Sequence, residues 1–171
     1  EIMPSLVGSE MCIRDRYEVN MYFNKKLINT FVSVDSQDEL FKFMSDCLNN
    51  SGCVKDSFYD GIISREAEYP TGIQIGSVGF AIPHTDSKHV LESQICFASL
   101  KKPIDFADMA DVSNKFPVSL VFMLAMKEPG DQIKTLQKLM ELFANEEVIN
   151  FLLKSDDNDE ILNVLKENGI D

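Results

Sequence analysis

A single α/β domain, with a mixed β-sheet flanked by helices on both faces, is the fold this sequence predicts. Short apolar runs of strand length alternate with stretches whose apolar residues recur at helical spacing. One run, Phe116 to Met126, is nearly all apolar and rich in Val and Leu, as a central strand covered on both faces requires. The chain has 171 residues, 44% of them hydrophobic and twelve of them Phe, enough for one buried core. No internal repeat and no domain-scale linker divides it.

The element-by-element reading begins at residue 17. Leu6 to Asp15 has no helical or strand periodicity and resembles the in-frame translation of a transposon adapter used in sequencing libraries. Residues 1–16 are therefore expected to be non-native, and residues 17–171 to form the domain. Tyr17 to Val34 reads as extended structure, with Tyr22, Phe23, Leu27, Ile28, Phe31, Val32 and Val34 around a polar Asn24-Lys25-Lys26 break. Ser36-x-x-Glu39 forms a capping box, and Leu40, Phe41, Met44, Cys47 and Leu48 then mark one helical face. Asn49-Asn50-Ser51-Gly52 ends that helix.

A second helix is expected from Asp56, carrying Phe58, Tyr59, Ile62 and Ile63 inward and stopping before Pro70, which disfavours the α conformation at Tyr69. Ile73–Ile75, Val78–Ile82 and Gln94–Leu100 read as strands, and a charged stretch with Ile104 and Phe106 leads to the central run. The last third is helical. Ile133, Leu136, Leu139, Met140 and Phe143 make one stripe, Val148, Ile149, Leu152 and Leu153 another, and Asn158 is the expected cap of a third helix carrying Ile161, Leu162, Val164 and Leu165. Met123, Met126 and Met140 are read as core.

Composition excludes several functions. Sixteen Lys and Arg against 28 Asp and Glu give a net charge of −12, the wrong sign for a binder of nucleic-acid phosphates. The longest apolar run, from Val118, falls far short of the roughly 20 residues of a membrane span. Cys12, Cys47, Cys53 and Cys96 form no C-x-x-C pair and no zinc ladder, and no signal-peptide pattern is visible, so a reducing cytoplasm is the expected compartment. There is no G-x-S-x-G, phosphate loop or G-x-G-x-x-G.

Both histidines of the chain fall in Pro83-His84-Thr85-Asp86-Ser87-Lys88-His89. Pro83 cannot donate a hydrogen bond, so it is expected to end sheet pairing and to present His84 at a strand's C-terminal edge, where α/β sheets bind ligands. A neutral imidazole at cytoplasmic pH is a competent nucleophile. His84, His89 and Asp86 lack the recognisable ligand spacing of a zinc site, so no metal is expected. His89 reads as a solvated loop residue.

Ser64-Arg65-Glu66-Ala67-Glu68-Tyr69-Pro70-Thr71-Gly72, followed by Val78-Gly79-Phe80-Ala81-Ile82-Pro83-His84-Thr85, resembles the active-site signature of the fructose/mannitol-type IIA component of the bacterial sugar phosphotransferase system. The Arg-Glu-Ala-Glu-aromatic-Pro-Thr-Gly form is most similar to the galactitol-type branch. The resemblance runs from about Leu27 to Glu167 and implies a mannitol/fructose-type IIA fold. It further implies a phosphoryl relay without nucleotide or other cofactor. His84 would accept phosphoryl from phospho-HPr and pass it to a cysteine of a IIB component, serving sugar or polyol uptake, galactitol among the candidates, through a IIC permease.

In that reading Arg65 supplies a permanently cationic fork for phosphate oxygens. Thr71 and Thr85 are supporting hydroxyls, and Glu66 either bonds Arg65 or another donor of the site or is a surface carboxylate. Many mannitol- and nitrogen-type relatives carry a second histidine where this chain has Gln132, which can donate a hydrogen bond to phosphate but cannot carry a proton. The implied partners are proteins, with no nucleic acid and no direct membrane insertion. The alternative function is a regulatory module of the same fold, whose phosphorylation state signals to a partner.

Overall fold

The computed structural model describes residues 22–25 and 27–170; the adapter-like segment and Tyr17–Met21 lie outside them. The fold is mixed α/β, as the sequence predicts. Its strands are β1 (Ile28–Val32), β2 (Gly72–Ile75), β3 (Val78–Ala81), β4 (Gln94–Ala107) and β5 (Lys115–Ala125). Its α-helices are α1 (Gln37–Asn50), α2 (Phe58–Glu68), α3 (Pro129–Phe143), α4 (Glu146–Lys154) and α5 (Asn158–Glu167). The strands lie in the order β1-β4-β5-β3-β2. β1 pairs parallel with β4 and β3 parallel with β5, while β4–β5 and β2–β3 are antiparallel.

The unbroken apolar character of β5 follows from burial on both faces. Leu120, Phe122 and Leu124 point into one core with the buried residues of α3, α4 and α5. Val121, Met123 and Ala125 point into the other with Leu40, Phe41, Met44 and Leu48 of α1 and Phe58 and Ile62 of α2. Successive strand side chains alternate in direction, so each face takes every second residue. The same alternation sends Ile95 and Phe97 of β4 to the first core and Cys96 and Ala98 to the second.

Local chemistry sets the helix ends. The Ser36 hydroxyl accepts from Glu39 N–H at 3.1 Å, and Glu39 reaches back to the backbone N–H of Asp35, at 3.0 Å, rather than to that of Ser36. α2 starts at Phe58, two residues after the expected Asp56, and ends before Pro70. The cap of α5 is Asp157, which accepts from the N–H groups of Asp159 and Glu160. Asn158, the residue expected there, is instead the first helical residue, and its side-chain amide donates to the Ile28 carbonyl at 3.2 Å.

Three further expectations are corrected. Tyr22 and Phe23 are buried in a turn, not in a strand. β4 continues through Lys101-Lys102-Pro103 to Ala107, because the ladder to β5 shifts register between Ser99 and Ile104 and tolerates a proline there. On α3 the buried residues are Thr135, Leu139, Leu142 and Phe143, whereas Ile133 and Met140 are exposed, so Met140 is not core. Met123 and Met126 are fully buried. Among the described residues no helix is long and apolar enough to cross a membrane.

Candidate functional site

β3 and β5 are parallel, so their C-terminal ends lie together at one end of the sheet. Just past β3, the Leu124 N–H of β5 donates to the Pro83 carbonyl at 2.9 Å, and His84 bridges to Leu124. Pro83 therefore does not end the pairing as its missing N–H suggested; its carbonyl still accepts, and that is the group facing β5. His84 is fixed where ligand sites of α/β sheets are usually found.

The ring itself is oriented. Its Nδ1 lies 2.7 Å from the Ile82 carbonyl oxygen. A carbonyl only accepts, so Nδ1 carries the proton and donates, which leaves the lone pair of the neutral ring on Nε2. Burial is the main cause holding the His84 pKa below its usual 6.5, with help from the nearby Arg65 guanidinium and against the Ile82 carbonyl, which favours the charged ring.

Arg65 projects from the last turn of α2 with its guanidinium over the Tyr69 ring, 4.7 Å from the centroid. Its Nε is buried without a hydrogen-bond partner, and among the described residues it forms no ion pair. Arg65, His84, Thr85, Lys88 and Gln132 all line one cavity of about 510 Å³. Pro129 and Ile133 close its far side from the first turn of α3. No side chain caps α3, so its N-terminal N–H groups adjoin the cavity, with Asp131 in the same first turn.

Glu66 and Thr71 lie outside this lining. The buried Glu66 carboxylate accepts from the Thr71 N–H at 3.0 Å and from its hydroxyl at 2.9 Å. The pair closes the turn from α2 into β2, and Glu66 does not bond Arg65. Burial raises the Glu66 pKa, and the Thr71 hydrogen bonds oppose the rise.

His89 is half-buried at the end of a short 3-10 turn (Ser87–His89), with Nδ1 2.8 Å from the Ser57 hydroxyl. It is docked on α2 rather than solvated. Sequence reasoning missed Lys88 and Ile133 as cavity residues. In the sequence Lys88 is one residue of a polar segment, and a cation four positions beyond His84 is the usable signal. Ile133 shares the helical spacing of a buried stripe, yet it is 60% exposed and lines the cavity. Among the described residues no group of His, Cys, Asp and Glu is placed to hold a metal ion.

Comparisons with known proteins bear on the family and the fold. The family model described as "Phosphoenolpyruvate-dependent sugar phosphotransferase system, EIIA 2" matches residues 21–168. The galactitol-specific EIIA component of Escherichia coli (strain K12) is 29% identical over 126 residues, covering 74% of this chain and 83% of that one. The crystal structure of the mannitol IIA from Escherichia coli superposes with a TM-score of 0.68 at 21% identity, over 83% of this chain and 97% of that one. A solution structure of the Escherichia coli mannitol IIA in complex with phosphorylated IIB shares the fold at a TM-score of 0.66 and 20% identity, over 83% and 95% of the two chains.

Proposed function

Because the chain belongs to the EIIA 2 family of the phosphoenolpyruvate-dependent sugar phosphotransferase system, we propose that it is a phosphoryl carrier with His84 as the acceptor. The observation that carries this reading is the Nδ1–H···O=C bond to Ile82, which leaves Nε2 unprotonated in a cavity shared with Arg65, whose Nε has no hydrogen-bond partner among the described residues. Nε2 attacks the phosphorus of a phosphohistidine on HPr. The new N–P bond forms as the donor's N–P bond breaks, and the Ile82 carbonyl holds the Nδ1 proton as positive charge builds on the ring. A IIB cysteine thiolate then attacks the same phosphorus and His84 leaves. Such transfers need positioning and charge stabilisation more than covalent chemistry.

Arg65, Lys88 and the α3 N-terminus supply positive charge for the phosphoryl oxygens, and Thr85 and Gln132 supply neutral donors. Glu66 and Thr71 act one step removed, by setting the turn that follows Arg65. Similarity to a galactitol-specific component supports a sugar alcohol as the transported solute. The solute meets the membrane component, so nothing in this cavity has to recognise it. The proposed site of action is cytoplasmic.

The test is incubation with phosphoenolpyruvate, enzyme I and HPr. One phosphoryl group is gained, acid-labile and alkali-stable, and phosphorus NMR locates it on Nε2. Attachment at Nδ1 overturns the tautomer assignment.

The lowered pKa of His84 gives a second expected result. The neutral ring is the nucleophile, and a depressed pKa keeps it neutral as pH falls through 6.5. In an NMR titration the His84 Cε1–H resonance has its midpoint below 6.5; a midpoint at or above that value contradicts the buried, Arg65-facing ring.

Gly61 tests how the loop is seated. A Cβ there would lie 2.8 Å from Thr85 Oγ1 and 2.9 Å from His89 Cδ2. Gly61→Ala therefore displaces the 84–89 loop, and single-turnover phosphorylation slows several-fold. The helical preference for Ala, about 1 kcal/mol, offsets part of the clash, so urea unfolding changes by less than about 2 kcal/mol. An unchanged rate shows that α2 does not seat the loop.

The reading of residues 1–16 as non-native, which lies outside the described residues, is proposed on its adapter resemblance. Deleting them leaves the melting temperature and phosphoryl acceptance unchanged; a loss of several degrees overturns it.

A further inference from the structure

We propose that Tyr69 is a positioning residue for phosphoryl transfer, its ring holding the Arg65 guanidinium ready at the cavity before a phosphoryl group arrives. The inference rests on the reading of His84 as the acceptor and of Arg65 as a cation that meets the phosphoryl oxygens. Tyr69 is 57% exposed and belongs to neither hydrophobic core, so core packing does not account for a large aromatic side chain there. Its ring lies instead against the guanidinium, with Arg65 Cζ 4.7 Å from the ring centroid.

The backbone sets this contact. Arg65 and Tyr69 stand four positions apart at the C-terminal end of α2, on one face of the helix. The Tyr69 N–H donates to the Arg65 carbonyl at 2.6 Å, so the last turn closes between these two residues. Pro70 disfavours the α conformation at Tyr69, whose φ of −132° and ψ of 85° turn the chain out of the helix. Two positions on, the Thr71 N–H and hydroxyl donate to the buried Glu66 carboxylate. The backbone that carries the ring is thus fixed from both sides, although the ring itself is largely in water.

A ring suits this task better than a carboxylate. Arg65 also lines a second, polar groove of about 360 Å³, which shares Thr85 and Lys88 with the cavity and is lined by Asp60, Glu68 and Asp86 as well. An ion pair with any of these carboxylates would neutralise the charge that phosphoryl oxygens need. Among the described residues Arg65 forms none. The face of Tyr69 attracts the cation through its quadrupole, without adding a negative charge that would repel phosphate. The guanidinium is steadied while its charge stays uncompensated, and its Nε remains a buried donor with no partner among the described residues. Ordering a long side chain in advance leaves less of that cost to be met in the transfer itself.

The experiment compares Tyr69→Phe, which keeps the ring face, with Tyr69→Leu, which removes it. Phosphoryl acceptance is measured in single turnovers against increasing phospho-HPr, beside a thermal melt and proton NMR of the Arg65 side chain. Tyr69→Leu is expected to lower the saturating rate roughly two- to fivefold, the size of an exposed cation–π contact. Its half-saturating phospho-HPr concentration stays at the wild-type value, and the Arg65 Hδ and Hε resonances move downfield as the ring current is lost. Tyr69→Phe matches the wild type in rate and in these resonances, and both variants keep the wild-type melting temperature because the side chain is exposed. An unchanged rate in Tyr69→Leu, or a Tyr69→Phe as slow as Tyr69→Leu, would overturn the proposal while leaving His84 as the acceptor. So would a loss confined to a higher half-saturating concentration, the mark of a residue that touches the donor protein. A wild type that takes no phosphoryl group fails the carrier reading itself, and the role of Tyr69 falls with it.

Discussion

His84→Ala abolishes phosphoryl gain from phospho-HPr, while the fold survives. The ring makes a single hydrogen bond, to the Ile82 carbonyl, so its removal costs about 1 kcal/mol. The backbone link from Leu124 to Pro83, which holds the strand exit in place, is untouched. His89→Ala retains most of the gain. His89 bonds Ser57 and packs on Gly61, so its loss loosens the loop without removing the nucleophile. The measurement is phosphoprotein mass after incubation with phosphoenolpyruvate, enzyme I and HPr, beside a thermal melt. Phosphorylation of His84→Ala on His89, or of neither histidine in the wild type, sinks the assignment.

Arg65→Lys slows phosphoryl acceptance by roughly ten- to a hundredfold, less than the ~10²–10³ that complete loss of a pre-placed donor costs, because the charge is kept. Lysine keeps the charge but loses the planar fork and the stacking on Tyr69. Stability changes little, or rises. The Arg65 Nε is already a buried donor without a partner, which costs the folded state free energy until an anion arrives. A wild-type rate in single-turnover kinetics would show that Arg65 does not touch the phosphoryl group.

The fold class and most elements were legible because periodicity and capping act locally. The Ser36 cap, the stop before Pro70 and the central run each carry their cause within a few residues. What was hidden depends on distant partners. Lys101-Lys102-Pro103 reads as a break, yet β5 lies alongside to carry the ladder past it. Asp157 and Asn158 are both competent caps, and only the Ile28 carbonyl, 130 positions away, decides which one turns elsewhere.

At the site, the clustering of Arg65, His84, Thr85 and Gln132 was accessible through resemblance to a family signature, not through spacing, since three separate segments bring them together. The Glu66–Thr71 pair shows the limit. Three roles were open to Glu66, and it bonds Thr71 rather than Arg65, because neighbouring helical side chains point in different directions.

The position of β5 has a consequence for how the chain is made. It stands between β4 and β3, so before it emerges from the ribosome the sheet exists only as two separate pairs, β1–β4 and β2–β3. A two-stranded pair alone is marginal in water. Both cores also draw on this one strand, one through Leu120, Phe122 and Leu124 and the other through Val118, Val121, Met123 and Ala125. Nascent chains ending before Ala125 therefore remain protease-sensitive throughout, and resistance arises in one late step once β5 and the helices behind it are free to dock.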